Sequence, residues 1–410
     1  MLQNVSAPSP ARRGLEFGLY RDGDNNLDTI QEATVAQARD TSARDPQVEF
    51  TVEDTTSLHL LNGDAPLHSY DYTIADGKVG DLHVGPPHDM SAEENLARFV
   101  ARTLDNAQRS GARQTWIDLV DHGGGDGGGL ETGDGTVMSM PDIGKAIADG
   151  IAMHAAAHPD DAGRRIDGVV ANQCLMDTMG FADRLSSAGV RYLAASPETM
   201  LAPGVPSDVA HVIASNENDP KAMAQGVVTD VMRTKYDAGN FGGFGPAAAF
   251  DVLDLDPAKV RNAESAIKQL NDDVAKTGRD PDVRAAIRQD ARGVEGMVRF
   301  PDATRDMPWR ADRPAMAFYD ALANDGRLSS TVRRDAASAE RNVSDLVLAH
   351  KESSGFAPFG GADYSDAVGP TVHLPTSRRQ IDPWANAGVS ETDNAFYKKV
   401  DQDAMTRVLA

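Results

Sequence analysis

The stretch Thr115-Trp116-Ile117-Asp118-Leu119-Val120-Asp121-His122-Gly123-Gly124-Gly125 decides how this chain is read. Its apolar run has the form of a buried strand. The strand ends in a histidine and then in glycines, which let another backbone or a ligand come close. The pattern recurs at Ile166-Asp167-Gly168-Val169-Val170-Ala171-Asn172-Gln173-Cys174, whose last residue is the only cysteine of the chain. As neighbouring parallel strands, the two would bring His122 and Cys174 side by side at their C-terminal edge, where open α/β sheets place their sites. A thiol beside an imidazole is the minimum equipment for nucleophilic acyl transfer.

Outward from this pair, strand and helix patterns alternate. Leu15 to Tyr20 reads as a first strand, running into the carboxylate- and amide-rich turn Arg21-Asp22-Gly23-Asp24-Asn25-Asn26-Leu27-Asp28. That turn fails the EF-hand template, because Leu27 stands where glycine is required and no glutamate closes it. Asn and Asp capping a helix that starts near Leu27 accounts for it. Val48 to Val52 alternates as a half-buried strand, with Leu58–Leu61 and Tyr70–Ile74 as a following hairpin or edge pair. Ser91-Ala92-Glu93-Glu94 has the form of a capping box opening a helix. Gly123 to Gly135 reads as a surface loop. Helices over Met176–Ser187, Ser207–Ala214 and Pro220–Lys235 alternate with strands at Val190–Ser196 and Ala247–Leu253. The expectation is an α/β fold, a mostly parallel sheet flanked by helices on both faces. Beyond Asp256 helical patterns dominate, at Ala258–Ala275 and Ser329–His350, with a late strand at Gly369–Pro375. The expected organisation is a flexible tail over 1–13, a catalytic domain over 14–256 and a helical subdomain with a late strand over 257–410.

The chain has 410 residues, 40% of them apolar, and a formal charge of −22. That charge argues against non-specific binding to nucleic acid or anionic membranes. One cysteine leaves no internal disulfide. No apolar run approaches the ~20 residues of a membrane span. Met1 to Pro10 lacks a charged region followed by an apolar core, so the expectation is a cytoplasmic protein or one exported by a non-Sec route.

The chemistry then follows. Cys174 is the expected nucleophile and His122 the acid and base, since a neighbouring histidine helps to supply thiolate. The backbone N–H groups of Gly123 and Cys174 are the expected oxyanion hole. A free cysteine is also a common core hydrophobe, and a histidine before glycines a common turn; it is the pair at successive strand ends that points to catalysis. His-Gly-Gly-Gly also serves lipases and esterases, but the Gly-x-Ser-x-Gly elbow they need is absent. No His-Glu-x-x-His occurs, and no metal site is expected.

These residues resemble the clostripain family of cysteine peptidases, relatives of caspases, gingipains and legumains. The resemblance rests on Tyr20 to Leu27, His88-Asp89-Met90-Ser91, Asp121-His122-Gly123-Gly124, Cys174-Leu175-Met176, Ala195-Ser196-Pro197-Glu198 with Pro203-Gly204, and Gly369 to Pro375 with the Trp384 and Phe396 regions behind it. It implies a caspase-like sheet, a His/Cys dyad and cleavage of a protein or peptide substrate after arginine or lysine. It also implies self-cleavage between the catalytic residues, with Lys145, Arg164 and Arg165 as candidate points, and in some members a response to calcium. No cofactor is required, and a monomer is expected. The chain departs from the family at Asn172, where an aspartate commonly reaches into the specificity pocket. Glu198 remains as the acid that would meet a basic side chain. Val205-Pro206-Ser207 replaces the usual glycine-tryptophan after Pro-Gly, so the pocket wall differs. A catalytically inactive relative that binds peptides or scaffolds a partner is the alternative, and a dyad with changed specificity a third.

Overall fold

The computed structural model describes residues 13–57, 66–200, 204–235, 248–299, 308–353, 355–357, 360–381 and 394–410. The expected strand Leu58–Leu61, most of the N-terminal tail, Pro203 and the Trp384 region lie outside them.

Nine strands form one sheet: β1 (Leu15–Asp22), β2 (Val48–Thr56), β3 (His68–Ala75), β4 (Lys78–Gly85), β5 (Gln114–Val120), β6 (Gly168–Asn172), β7 (Tyr192–Ala195), β8 (Ala248–Asp254) and β9 (Val347–Ser353). Their spatial order is β9-β8-β7-β6-β5-β1-β2-β3-β4. The five central strands, β7 through β2, run parallel. Antiparallel pairs close the sheet on both sides. Central strands covered on both faces read as continuous apolar runs rather than alternating ones. Val169, Val170 and Ala171 of β6 are all fully buried. Val169 and Ala171 join one apolar layer and Val170 the other, as the period of two requires. Each valine so buried contributes about 1.5–3 kcal/mol.

The α-helices among the described residues are α1 (Asp28–Arg44), α2 (Glu93–Ser110), α3 (Met140–Ala157), α4 (Met179–Ser187), α5 (Val209–Ser215), α6 (Pro220–Lys235), α7 (Pro257–Thr277), α8 (Pro281–Gly293), α9 (Ala315–Asn324), α10 (Ser330–Ser344), α11 (Ala395–Val400) and α12 (Gln402–Leu409). Apolar residues of α5 and α6 fill one layer; those of α2, α3, α4 and α7 to α12 fill the other. No helix among the described residues is long and apolar enough to cross a membrane.

Three local expectations need correcting. The Ser91 hydroxyl does not cap α2: it donates to Asp89 Oδ1 at 2.6 Å, and Ala92 holds the cap position with no side-chain bond. The helix expected over Ser329–His350 stops at Ser344, and Val347–Ser353 instead pairs antiparallel with β8. The apolar run at Val347 to Ala349 suits either period, and edge pairing onto the sheet decides it. At the first turn, Leu27 takes the cap position of α1 without a side-chain bond. Asn25 Oδ1 accepts from Leu27 N at 2.8 Å, while Asn26 turns elsewhere.

Candidate active site

Strands β5 and β6 pair in parallel with Val120 opposite Asn172. Two further residues on each strand set His122 and Cys174 level. The contact is close: a Cβ on Gly123 would lie 2.4 Å from Cys174 O and 3.1 Å from Cys174 N, so only glycine fits there. Gln173, buried between the two strand ends, donates from Nε2 to His122 O at 2.9 Å. Leu130 N donates to His122 O and Gly124 N to Gly128 O, which makes Gly123 the non-hydrogen-bonded partner of Gly129. Its N–H is therefore not spent on that ladder.

His122 is half-buried, and its Nε2 lies 2.7 Å from Asn26 Oδ1. An amide oxygen only accepts, so Nε2 carries the proton and Nδ1 is the nitrogen left for proton transfer. Asn26 is thus the group that orients the imidazole. Sequence reasoning placed it in a helix cap; the one signal was its place in a polar turn at the end of β1, the strand beside β5. The turn is itself pinned, because Asn25 Nδ2 donates to Asp121 Oδ1 at 2.6 Å and to Glu131 O at 2.7 Å. Behind the glycine loop, the buried Asp126 carboxylate accepts from Thr178 Oγ1 and from the Tyr397 hydroxyl, tying the loop to the cap of α4 and to α11.

Cys174 is half-buried. Its Sγ accepts from Met200 N at 3.3 Å and lies 3.8 Å from Met200 O. Burial pushes the thiol's pKa up; the Met200 N–H lowers it and the Glu198 charge raises it. The next residue, Leu175, has φ of +66°, a left-handed conformation that costs a non-glycine residue about 1–2 kcal/mol. It turns the chain off the strand at the sulfur. Leu175 N then donates to Glu198 O at 3.0 Å, so the cysteine turn and the 196–198 loop run together. Leu175 packs with Met297, Val298 and Tyr364, and Cys174 lies against this cluster.

Asn172 and Glu198 both sit close to this turn, and both are committed inward. Asn172 Oδ1 accepts from Val205 N at 2.7 Å and its Nδ2 donates to Val205 O at 3.1 Å, closing the loop at Gly204. Glu198 is fully buried. Its Oε2 accepts from Thr199 N at 2.8 Å and Val298 N at 3.1 Å, and its Oε1 lies 3.6 Å from Arg299 Nε. Burial pushes its pKa up to about 7 against the pull of those donors. Val298, a β-branched residue at φ +62°, is held in that conformation while it donates to Glu198.

The candidate cleavage points are apart from this site. Lys145 lies within α3, its ammonium between Glu93 and Asp149. Arg164 and Arg165 precede β6, at the opposite edge of the sheet from Cys174. Arg164 donates to Asp161 and to Ala112 O, and Arg165 is the more exposed of the two.

Three solved structures share this arrangement of elements. An inactive zymogen C11 protease from Parabacteroides distasonis aligns with a TM-score of 0.64 and 14% identity, over 96% of this chain and 99% of that one. A secreted C11 cysteine protease from Bacteroides thetaiotaomicron aligns with a TM-score of 0.64 and 12% identity, over 95% of this chain and all of that one. The fold is that of the C11 cysteine proteases. The same kind of protease from Bacteroides thetaiotaomicron in complex with an irreversible peptide inhibitor aligns with a TM-score of 0.65 at 12% identity. No family model matches the chain, and no curated protein does. The C11 fold thus appears here at an identity where only the architecture carries over.

Proposed function

We propose that the chain is a cysteine endopeptidase in which Cys174 attacks the scissile carbonyl and His122 moves the protons. The observation that carries this is the meeting of His122-Gly123 and Gln173-Cys174 at adjoining parallel strand ends of a C11 fold. His122 Nδ1 takes the thiol proton as the sulfur adds to the carbonyl carbon, and the oxyanion is met by the N–H groups of Gly123 and Cys174. One such donor is worth about 3–4 kcal/mol of transition-state stabilisation. His122 Nδ1 gives its proton to the leaving amine, and the thioester forms. Water, deprotonated by the same nitrogen, then clears it. No step requires a cofactor.

The conformation described is a resting one. The thiol is kept protonated by burial, and the Met200 N–H must leave Sγ for the sulfur to reach a substrate. Preference for arginine or lysine is the finer part of the proposal, with Asn172 shaping the pocket through its hold on Val205 and Glu198 supplying the charge. A substrate guanidinium would compete with Arg299 for Glu198, so the preference is weak. The covered thiol also favours a second reading, a peptide-binding relative that no longer turns over.

A fluorogenic peptide library with each residue in turn at the cleaved position tests both. The expected result is turnover by the wild type, highest after Arg and Lys, and none by Cys174→Ala, whose circular dichroism and melting remain those of the wild type. Turnover persisting in Cys174→Ala removes the assignment. Absence of wild-type turnover, together with no His122-dependent labelling by a thiol-reactive peptidyl inhibitor, establishes the second reading.

A further inference from the structure

At the edge of the sheet opposite Cys174, the C-terminal turns of α2 and α3 bring two imidazoles and a carboxylate together. His154 and His158 are four residues apart, so they project from one side of the end of α3. His154 Nδ1 lies 2.6 Å from Asp105 Oδ1 and His158 Nε2 lies 3.2 Å from the same oxygen. The two rings have centroids 4.9 Å apart. One ligand atom from each of the three residues falls within 4.8 Å of the other two. The His154 side chain is fully buried, and its Nε2 has no hydrogen-bond partner. Asp161 Oδ2 stands 3.5 Å from that nitrogen, held in place by Arg164 Nε.

As a plain ion-pair cluster this is poorly matched. Two imidazoles converge on one carboxylate oxygen, and the buried His154 Nε2 has only the long 3.5 Å approach of Asp161 Oδ2. A divalent ion resolves the first, and binding through Nδ1 fixes the tautomer whose Nε2–H faces Asp161. We propose that Asp105, His154 and His158 form a site for a zinc-class divalent cation that clips α2 to the connection between α3 and β6. The donor set of two nitrogens and one carboxylate oxygen suits Zn²⁺, Ni²⁺ or Cu²⁺ rather than Ca²⁺, which takes six to eight oxygens. Tetrahedral zinc, with bonds of about 2.0–2.1 Å, holds its ligand atoms about 3.3 Å apart. Asp105, with its side chain 45% exposed, is free to withdraw from His154 toward that spacing, and the three ligand atoms already lie within 4.8 Å of one another. On binding, His154 takes the Nε2–H tautomer: the Nδ1 proton leaves to solvent, Nε2 takes one up, and Nε2–H faces Asp161, the carboxylate partner that metal-bound histidines generally keep. The remaining position is open to water. The net charge of −22 concentrates cations around the molecule.

The test uses full-length protein carrying Cys174→Ala, so that zinc has no thiol beside His122 to bind. Equilibrium dialysis against ZnCl₂ with elemental analysis is expected to give one zinc per chain and a higher melting temperature. CaCl₂ is expected to do neither. His158→Ala and Asp105→Asn, made in the same background, are expected to bind zinc about tenfold or more weakly. Both side chains are partly exposed, and both variants are expected to melt normally in EDTA. Retention of full-affinity zinc by both variants, or dialysis that leaves no zinc on the parent, overturns the proposal. Neither result bears on the peptidase assignment.

Discussion

The Cys174 thiol is governed mainly by burial, then by the Met200 N–H that stabilises its anion and by the Glu198 charge that opposes it. The Glu198 charge is the smallest of the three, and it raises the pH at which the Cys174 thiolate forms. With Glu198→Gln, the alkylation rate of Cys174 by iodoacetamide is expected to reach half its maximum at lower pH than in the wild type; an unchanged profile would show that the charge is not felt at the sulfur. The same carboxyl also affects stability. Its folded value of about 7 exceeds the ordinary ~4.3, so it binds a proton on folding. That contribution is complete below the ordinary value and is lost as pH rises through 7. Asp22, raised to about 7 by burial, acts in the same direction. Urea melts of the wild type are expected to weaken from about pH 5 to pH 8, and those of Glu198→Gln to weaken less.

Among the elements, the decisive junction is the one between the ends of β5 and β6. Gly123→Ala places a methyl group against the backbone of Cys174, and the strand ends must part. The expected loss is about 10²–10³ in kcat/KM, as for removal of one oxyanion donor, with a stability cost of about 1–3 kcal/mol. A steady-state assay beside a urea melt separates the two; a variant with wild-type kcat/KM would show that this approach of backbones is dispensable. The strands themselves were legible. Apolar runs at Thr115–Val120 and Ile166–Ala171 with polar ends leave few alternatives, and α6 runs over Pro220–Lys235 as its pattern indicates. The stretch at 347–353 was not legible, because an apolar run that short carries no period strong enough to separate helix from edge strand.

Across the molecule, β6 separates two of the candidate cleavage points, Arg164 and Arg165, from Cys174. Arg164 and Arg165 precede its first residue and Cys174 follows its last, so roughly 13–17 Å of strand stands between them. A sulfur must come within about 3–3.5 Å of the carbonyl it attacks. Cleavage after Arg165 by the same molecule would therefore require the sheet to open. Any self-processing at this loop is expected to occur between molecules. Its rate should rise with the square of protein concentration, and added wild type should cut Cys174→Ala at the same point by mass spectrometry. A first-order rate independent of concentration would contradict this. Two contacts join C-terminal residues to the sheet and the glycine loop: β9 pairs with β8, and the Tyr397 hydroxyl donates to Asp126.

Local pattern in the chain was enough to establish an α/β sheet, the positions of two strand ends and the histidine and lone cysteine that close them. Strand period, glycine and a single thiol are properties of neighbours along the backbone, and they survive reading in one dimension. The orientation of His122 by Asn26, the brace from Gln173, the covering of the sulfur by Met200 and the binding of Glu198 to Val298 and Arg299 came only with the folded molecule. Each joins residues far apart in the chain through one hydrogen bond or one close approach. Such contacts leave no periodic trace, because they depend on which strands lie side by side and how closely their ends converge.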